Sequence, residues 1–477
     1  MERSKFIKLI IAIVLSLIAW LIPAESYGIE NLTIIEQRVI AIFIFAALMW
    51  IFEAIPIWTT SVLIMGLLLV TVSSSMFAPF KPAEGETLFG NPIAYKDIMA
   101  AWADPIVMLF MGGFALAIAA TRTGLDVNIA RVVLKPFGRK SEMVLIGFMF
   151  VTAVLSMFMS NTATAAMMLA IIAPVIKLLP PEGKGRIAVT LSIPLAANIG
   201  GIGTPIGTPP NAIALRYLSE AMPDNEIGFG QWMLIMVPFV IILLAISYFL
   251  LLKFFPFTKK EINLQIDGKF RKDTKSIIVY VTFGVTVLLW LLDKQTNLNA
   301  NVVAFIPLTV FCVTGIIGKE ELRMINWDVL WLVAGGFALG VGLNGSGLAK
   351  HFIEAIPFDT WEPWVVFASS GLLCCVMSTF MSNTASAALL VPILAAIATG
   401  MGDSIAELGG TVTMLVGVAI SASLAMALPI STPPNALAHA TGTVTQGQMA
   451  KIGIIVGLIG IVLGYAILML AVKLGLL

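Results

Sequence analysis

Residues Ser160–Met168 read SNTATAAMM, and residues Ser382–Leu390 read SNTASAALL. Each places a Ser-Asn-Thr triplet inside an otherwise oily stretch; the first stands between VTAVLSMFM and AAMMLAIIAPVI. The question the pair raises is why one chain would bury the same polar triplet twice.

The surroundings set the class. The chain has 477 residues, of which 59% are hydrophobic and only 12% charged, with a mean hydropathy of +0.99. A soluble protein of this length carries about a quarter charged residues. Apolar runs at Ile7–Ile22, Val39–Trp50, Trp58–Val72, Met233–Leu252, Ile277–Leu292, Val302–Ile317 and Ile452–Val472 are membrane-helix candidates, the first two with their flanks included. They lack the alternation of barrel strands. The expected class is an all-α polytopic membrane protein. Net charge is +1, and no basic patch interleaved with aromatics points to nucleic acid. Cys312, Cys374 and Cys375 lie in apolar runs without metal spacing and read as fillers. Arg3, Lys5 and Lys8 ahead of an apolar run read as the cytoplasmic flank of a retained first helix, since Pro23-Ala24-Glu25 is a poor cleavage site.

The triplets belong to a larger duplication. Gly112–Leu116 (GGFAL) returns as Gly335–Leu339, and Thr123-Gly124-Leu125 returns as Ser346-Gly347-Leu348. Ser156, Ser160, Asn161 and Thr162 return as Ser378, Ser382, Asn383 and Thr384, and Thr208–Ala212 (TPPNA) returns as Thr432–Ala436. All four lie in the same order at offsets of 222 to 224 residues (378 − 156 and 432 − 208 are the extremes).

Orientation follows from counting crossings. With the N-terminus inside, helices at about 7–23, 37–54, 57–77 and 101–120 leave Arg122–Lys140 inside. Two apolar arms then meet at the first triplet, with Lys140 before them and Lys177, Lys184 and Arg186 after, which makes a re-entrant hairpin entered from the inside. Five crossings, at about 187–221, 231–253, 276–292, 301–317 and 327–345, separate it from the second hairpin, which therefore enters from the outside. The repeats are expected to be inverted. This layout puts 21 of the 28 Lys and Arg inside, in keeping with the positive-inside rule. The expected organisation is a first helix and outer loop (1–36), repeat 1 (37–253, hairpin 141–180, broken helix 187–221), a cytoplasmic linker (254–275), repeat 2 (276–448, hairpin 363–401, broken helix 411–445) and a last helix (449–477). That amounts to about 11 transmembrane helices plus two hairpins in the cytoplasmic (inner) membrane.

Irregular backbone at membrane depth is tolerated only where protein or a water-filled cavity surrounds it. The second arm of each hairpin starts a helix at the triplet, so free N–H groups and a positive dipole end face the cavity, an anion site. Asn161, Thr162, Asn383 and Thr384 add neutral donors. Carbonyls ending each first arm, near Ser156–Ser160 and Ser378–Ser382, suit a small hard cation. In GGIGTPIGTPPNA (Gly200–Ala212) and LPISTPPNA (Leu428–Ala436), paired prolines break apolar helices, with Thr208 and Thr432 as expected N-caps and Pro209 and Pro433 at the first helical position. Two broken helices at matching places in two halves are the sequence mark of a secondary transporter's binding site.

With both triplets, both TPPN motifs and Trp50–Pro56 (WIFEAIP), nearly the full chain resembles the divalent anion:sodium symporter (INDY-type) family of dicarboxylate, citrate and sulfate carriers. That resemblance implies a homodimer with scaffold and transport domains that work as an elevator. It implies one sodium at Ser156, Ser160, Asn161 and Gly207, and another at Ser378, Ser382, Asn383 and Ser431. Substrate carboxylates would meet Asn161, Thr162, Thr208 and Pro209 at one end and Asn383, Thr384, Thr432 and Pro433 at the other. Ser378 stands where the family's second site is expected to carry threonine, and keeps the hydroxyl. A sodium-independent exchanger related to the family is expected to place a fixed positive charge near a sodium site, but no Lys or Arg lies near either triplet; sodium must then supply the countercharge to a dianion. Sodium-coupled symport of C4-dicarboxylates (succinate, malate, fumarate) is expected; citrate, sulfate, exchange and an anion channel are the alternatives.

Other features receive bland readings. Asp104 and Asp328 read as helix caps, Glu53 as interfacial structure, and His351 and His439 as neither metal ligands nor acid/base groups. Arg122–Lys140 and His351–Trp361 read as amphipathic surface helices. No GxSxG, HExxH or Walker sequence is present, so no enzyme is expected.

Overall fold

The computed structural model describes residues 3–82, 88–223, 226–262, 270–355 and 360–477. Residues 263–269 of the expected linker and 356–359 of the second expected surface helix lie outside these. Among the described residues every regular element is helical, apart from two isolated bridges, Ser73 with Ile93 and Lys140 with Glu261.

Among the described residues, eleven helices are long and apolar enough to cross a membrane. The number agrees with the expected count, but its members differ. Four of the eleven are the arms of the helix–break–helix pairs Ser141–Phe158 with Asn161–Leu178 and Pro363–Phe380 with Asn383–Met401. Some stretches that the sequence reads as full crossings are shorter: Ile57–Thr71, Ala300–Val313 and Gly410–Ser423.

Local chemistry explains each break. The first arm ends as Met159 turns extended (φ −128, ψ 161), and Ser160 restarts the helix by accepting from the Ala163 N–H at 3.4 Å. Met381 (φ −135, ψ 178) and Ser382, which accepts from Ala385 N–H at 3.1 Å, repeat this. A serine hydroxyl satisfies one of the orphan donors of a new helix start. The second interruptions fall between Gly185–Gly201 and Pro209–Ala221, and between Gly410–Ser423 and Pro433–Ala440.

Two packing groups emerge. The hairpin arms pack on the broken helices: Ser141–Phe158 on Gly185–Gly201, Pro363–Phe380 and Asn383–Met401 on Gly410–Ser423, and Asn161–Leu178 on Pro433–Ala440. Helices Phe229–Phe254 and Gln446–Lys473 close over them. The second group contains Arg3–Leu21, Ile34–Phe52, Ile57–Thr71, Pro105–Thr123, Thr274–Leu291, Phe305–Val313 and Trp327–Ser346. Its close contacts use the duplicated glycines. A Cβ at Gly335 would stand 2.7 Å from Ser61 Cα, and one at Gly112 would overlap the Ala304 carbonyl. Backbones approach this closely only through small residues.

Between the groups, Arg216 Nε donates to Asp104 Oδ2 at 2.5 Å, and Asp104 Oδ1 also accepts from Ile106 N–H at 2.9 Å as a helix cap. Asp328 differs from its expected reading: Asn326 holds the N-cap position and makes no side-chain cap bond, leaving Asp328 exposed in the first turn. The chain turns into its helix through backbone geometry at Asn326, so no capping carboxylate is used. The helix Leu125–Leu134 occupies much of the first expected surface segment, and Leu348–Ala355 overlaps the start of the second.

The glycine contact gives a direct test. Gly335→Val should destabilise the protein by about 1–3 kcal/mol, the usual cost of overpacking, read as a lowered Tm in detergent. Gly66→Ala, on the facing helix but with open space around its Cβ position, should leave Tm within experimental scatter.

Candidate functional site

Both Ser-Asn-Thr tips and both broken helices converge on one cavity of about 460 Å³. Its walls include Ser160, Asn161 and Thr162 from the first hairpin, Ser382, Asn383 and Thr384 from the second, and Gly207, Thr208, Pro209, Ser431, Thr432 and Pro433 from the breaks. All eight residues expected to meet substrate therefore face one space. Ser156 and Ser378 stand behind it, fully buried, and touch it through the asparagines.

The breaks are held open by side-chain amides. Asn211 Nδ2 donates to the carbonyls of Thr204 (2.8 Å), Gly201 (3.1 Å) and Ile202 (3.4 Å). Asn435 Nδ2 donates to those of Met426 (2.7 Å) and Leu428 (3.0 Å). These carbonyls have lost their helical partners, and an unpaired buried one is costly. The asparagine of each TPPN motif is thus the internal partner of its own unwound stretch. A hydroxyl then ties each stretch to the end of a hairpin arm, from a different position in each half. Thr204 Oγ1 donates to Met157 O and accepts from Gly207 N–H at 3.0 Å. In the second half Ser431 Oγ donates to Thr379 O at 2.9 Å and accepts from Leu428 N–H at 3.1 Å. Thr208 and Thr432 both occupy N-cap positions ahead of a proline pair, but only Thr432 makes a cap bond, accepting from Asn435 N–H at 3.3 Å.

Behind the tips, oxygens gather. The Asn161 amide end lies 2.5 Å from Ser156 Oγ, 3.2 Å from Gly207 O and 3.3 Å from Ala197 O. In the orientation that satisfies both ends of the amide, its nitrogen donates toward these three oxygens. Ser378 Oγ likewise lies 2.8 Å from Asn383 Oδ1 and 2.9 Å from Ala422 O. Hydroxyl, amide and carbonyl oxygens are the donor set of a hard monovalent cation. Of the residues expected around sodium, the structure brings Ser156, Asn161 and Gly207 together, and Ser378 with Asn383. Ser160 and Ser382 act as helix caps, and the Ser431 hydroxyl is tied to Thr379 O. Ala197 and Ala422 contribute carbonyls that side-chain reasoning could not single out.

Among the described residues lining the cavity, Asp328 is the one charged side chain; no Lys or Arg joins it. An anion here meets two helix N-termini and neutral donors. Lining residues outside the sequence reading include Asn198, whose amide stands in the apolar stretch LAANIGG, and Phe110, which precedes the glycine pair.

Relatives carry the same architecture. A family model described as citrate transporter matches residues 47–409. The sodium-dependent dicarboxylate transporter SdcS of Staphylococcus saprophyticus is 30% identical over 499 residues, covering 97% of this chain and 91% of its own. The chain belongs to the divalent anion:sodium symporter family. This symporter-family member is a multi-pass membrane transport protein and not an enzyme. A protein of Haemophilus influenzae described as an uncharacterized transporter is 32% identical over 446 residues, covering 89% of each chain. Among solved structures, the fold is shared with MtrF of Neisseria gonorrhoeae (TM-score 0.53, 13% identity, covering 87% of this chain and 94% of that one). It is shared too with the YdaH transporter of Alcanivorax borkumensis (TM-score 0.54, 13% identity, covering 88% and 98%).

The amide brackets generate a prediction. Asn211→Ala leaves buried carbonyls unpaired, at about 1–3 kcal/mol each. Thermal unfolding in detergent should shift down by several degrees, and transport should be lost with it.

Proposed function

We propose that this protein is a sodium-coupled symporter of C4-dicarboxylates (succinate, malate or fumarate) in the cytoplasmic membrane, with its N-terminus in the cytoplasm. The observation that carries the reading is the cavity itself. Two helix starts with neutral Asn and Thr side chains face one space, a cluster of hydroxyl, amide and carbonyl groups lies behind each, and no Lys or Arg is among the described residues that line it. A dianion leaving water for such a site loses much solvation, and bound sodium at the two clusters supplies the missing positive charge. Two or more sodium ions per cycle follow from two clusters. The SdcS relatives, named as sodium-dependent dicarboxylate transporters, support the same coupling and the same substrate class. Citrate stands as the second reading, favoured by the description of the matched family model.

The transport cycle we infer is an elevator within a homodimer. The hairpins and broken helices, with Phe229–Phe254 and Gln446–Lys473, form the moving body, and the glycine-packed helices form the scaffold. The two halves, 37–253 and 276–448, are read as inverted repeats joined by the 254–275 linker. Under the crossing count, Pro56–Trp58 and Asn326–Val329 both fall on the cytoplasmic side, and both line the cavity. The described state is then open inward, with Arg216–Asp104 bridging the two bodies on the outer side.

Purified protein in proteoliposomes should accumulate labelled succinate when an inward sodium gradient is imposed. Unlabelled malate should compete, while citrate and sulfate reveal how long a substrate the cavity admits. Asn161→Ala and Asn383→Ala should each reduce uptake to background while leaving the size-exclusion profile intact. Uptake that is indifferent to dissipation of the sodium gradient would sink the coupling.

A further inference from the structure

Asn198 lies on Gly185–Gly201, directly after Ala197, whose carbonyl joins the Asn161 cluster. It is only 2% exposed, yet it lines the cavity. Its Nδ2 reaches across to the other half of the chain, donating to Thr432 Oγ1 at 3.2 Å and to Asn435 Oδ1 at 3.3 Å.

The orientation of this amide is set by its neighbours. Asn435 commits its own Nδ2 to the Met426 and Leu428 carbonyls at 2.7 and 3.0 Å, so it can present only its oxygen to Asn198. Asn198 must answer with its nitrogen, because two facing amide oxygens would repel. The Asn198 oxygen is therefore the atom left to the cavity, and it has no hydrogen-bond partner among the described residues.

An acceptor oxygen is out of place in a site built to bind anions. A bare carboxylate beside it would be repelled, and a group carrying a proton would be held. Thr432 sharpens this contrast. Its Oγ1 already accepts from Asn198 Nδ2 and Asn435 N–H, so its own proton is what it has left to offer a ligand. Donor and acceptor thus stand side by side at this end of the cavity. A carboxylate with a hydroxyl on the adjacent carbon presents the complementary pair, acceptor beside donor.

The opposite end lacks this device. The residue at the 224-residue offset from Asn198 is Ala422, and Ser423, which follows the Ala422 carbonyl as Asn198 follows that of Ala197, spends its hydroxyl on Ala419 O at 3.1 Å. Thr208 makes no side-chain cap bond, and Asn211 Oδ1 is buried without a partner because no amide reaches it. Among the described residues Thr208 thus has no amide bonded to its hydroxyl, whereas Thr432 stands beside the Asn198 amide.

We propose that Asn198 is a specificity-determining residue that reads a hydroxyl next to a substrate carboxylate, so that hydroxylated di- and tricarboxylates are taken in preference to their deoxy counterparts. This rests on the dicarboxylate reading of the same cavity and names the substrate class within it. The hydroxyl-bearing carboxylate docks toward Thr432, and the plain carboxylate docks toward Thr208.

The experiment uses two substrate pairs that each differ by one hydroxyl, malate against succinate and citrate against tricarballylate. Each competes for sodium-driven uptake of labelled malate by the full-length protein in proteoliposomes. Wild type should favour the hydroxylated member of a transported pair by about three- to tenfold, the worth of one neutral hydrogen bond. In Asn198→Ala that ratio should fall toward one. Loss of the support for Thr432 weakens both members of a pair alike and cancels in the ratio. Asn198→Ser, which keeps a small polar group at the position, provides a second variant should the alanine protein fail to assemble. Equal affinities within both pairs in wild type would overturn the proposal, a result that requires no variant. So would an unchanged ratio in Asn198→Ala, or an unchanged ratio with an altered sodium dependence, which would make the oxygen an ion ligand. Sodium-driven uptake of none of the four compounds would instead overturn the dicarboxylate reading, and this inference with it.

Discussion

A helix that stops inside a membrane leaves carbonyls and N–H groups with no water to meet them, and every feature of this site answers that constraint. Asn211 and Asn435 take up the freed carbonyls of the two unwound stretches, and Ser160 and Ser382 take up freed N–H groups at the hairpin tips. Without these internal partners the breaks would carry several unpaired buried groups at about 1–3 kcal/mol each, and a continuous helix would win. With them, the remaining N–H groups and carbonyls can be aimed at a ligand. The site is thus made largely of backbone, and the named side chains keep that backbone open.

That origin explains the electrostatics. Backbone termini supply partial charges of both signs without the desolvation cost of a full charge in lipid. Donors collect at the helix starts and oxygens at the arm ends, so one pocket offers partial charge of both signs side by side. The full charges sit toward the margins. Arg216 is consumed by Asp104 and Glu220, at 2.5 and 2.6 Å, and Asp328 is exposed. Under the proposed function, bound ions would complete the anion site, and coupling would need no separate device.

The two halves share a plan and diverge in detail, and the divergence is chemically ordered. The hydroxyl that ties an unwound stretch to its hairpin comes from Thr204 in one half and from Ser431 in the other, the two ends of corresponding four-residue turns. The tied carbonyls, Met157 and Thr379, correspond across the duplication at the 222-residue offset. The turn must be held, but either end can hold it, so the duplicated sequences drifted apart without loss of the bracket. At Asn198 the halves differ in another way: the amide has reached out of its own half and bonded the other. That bond makes a pseudo-symmetric cavity polar from end to end.

What the sequence determined by itself was whatever rests on composition, period and repetition. Apolar length made the chain a helical membrane protein, the triplets at Ser160 and Ser382 marked the two hairpin tips, and proline pairs after Thr208 and Thr432 marked the breaks; these are local consequences of steric and solvation rules. Asp104 was legible as a cap for the same reason, whereas Asp328 failed because capping depends on the backbone angle at Asn326. What only the tertiary structure decided was which groups meet. The carbonyls of Ala197 and Ala422 lie in stretches that read as plain apolar helix, and the cross-half bond of Asn198 spans 234 residues to Thr432. Hydrogen bonds between elements depend on how helices pack in three dimensions, and no spacing along the chain records that packing.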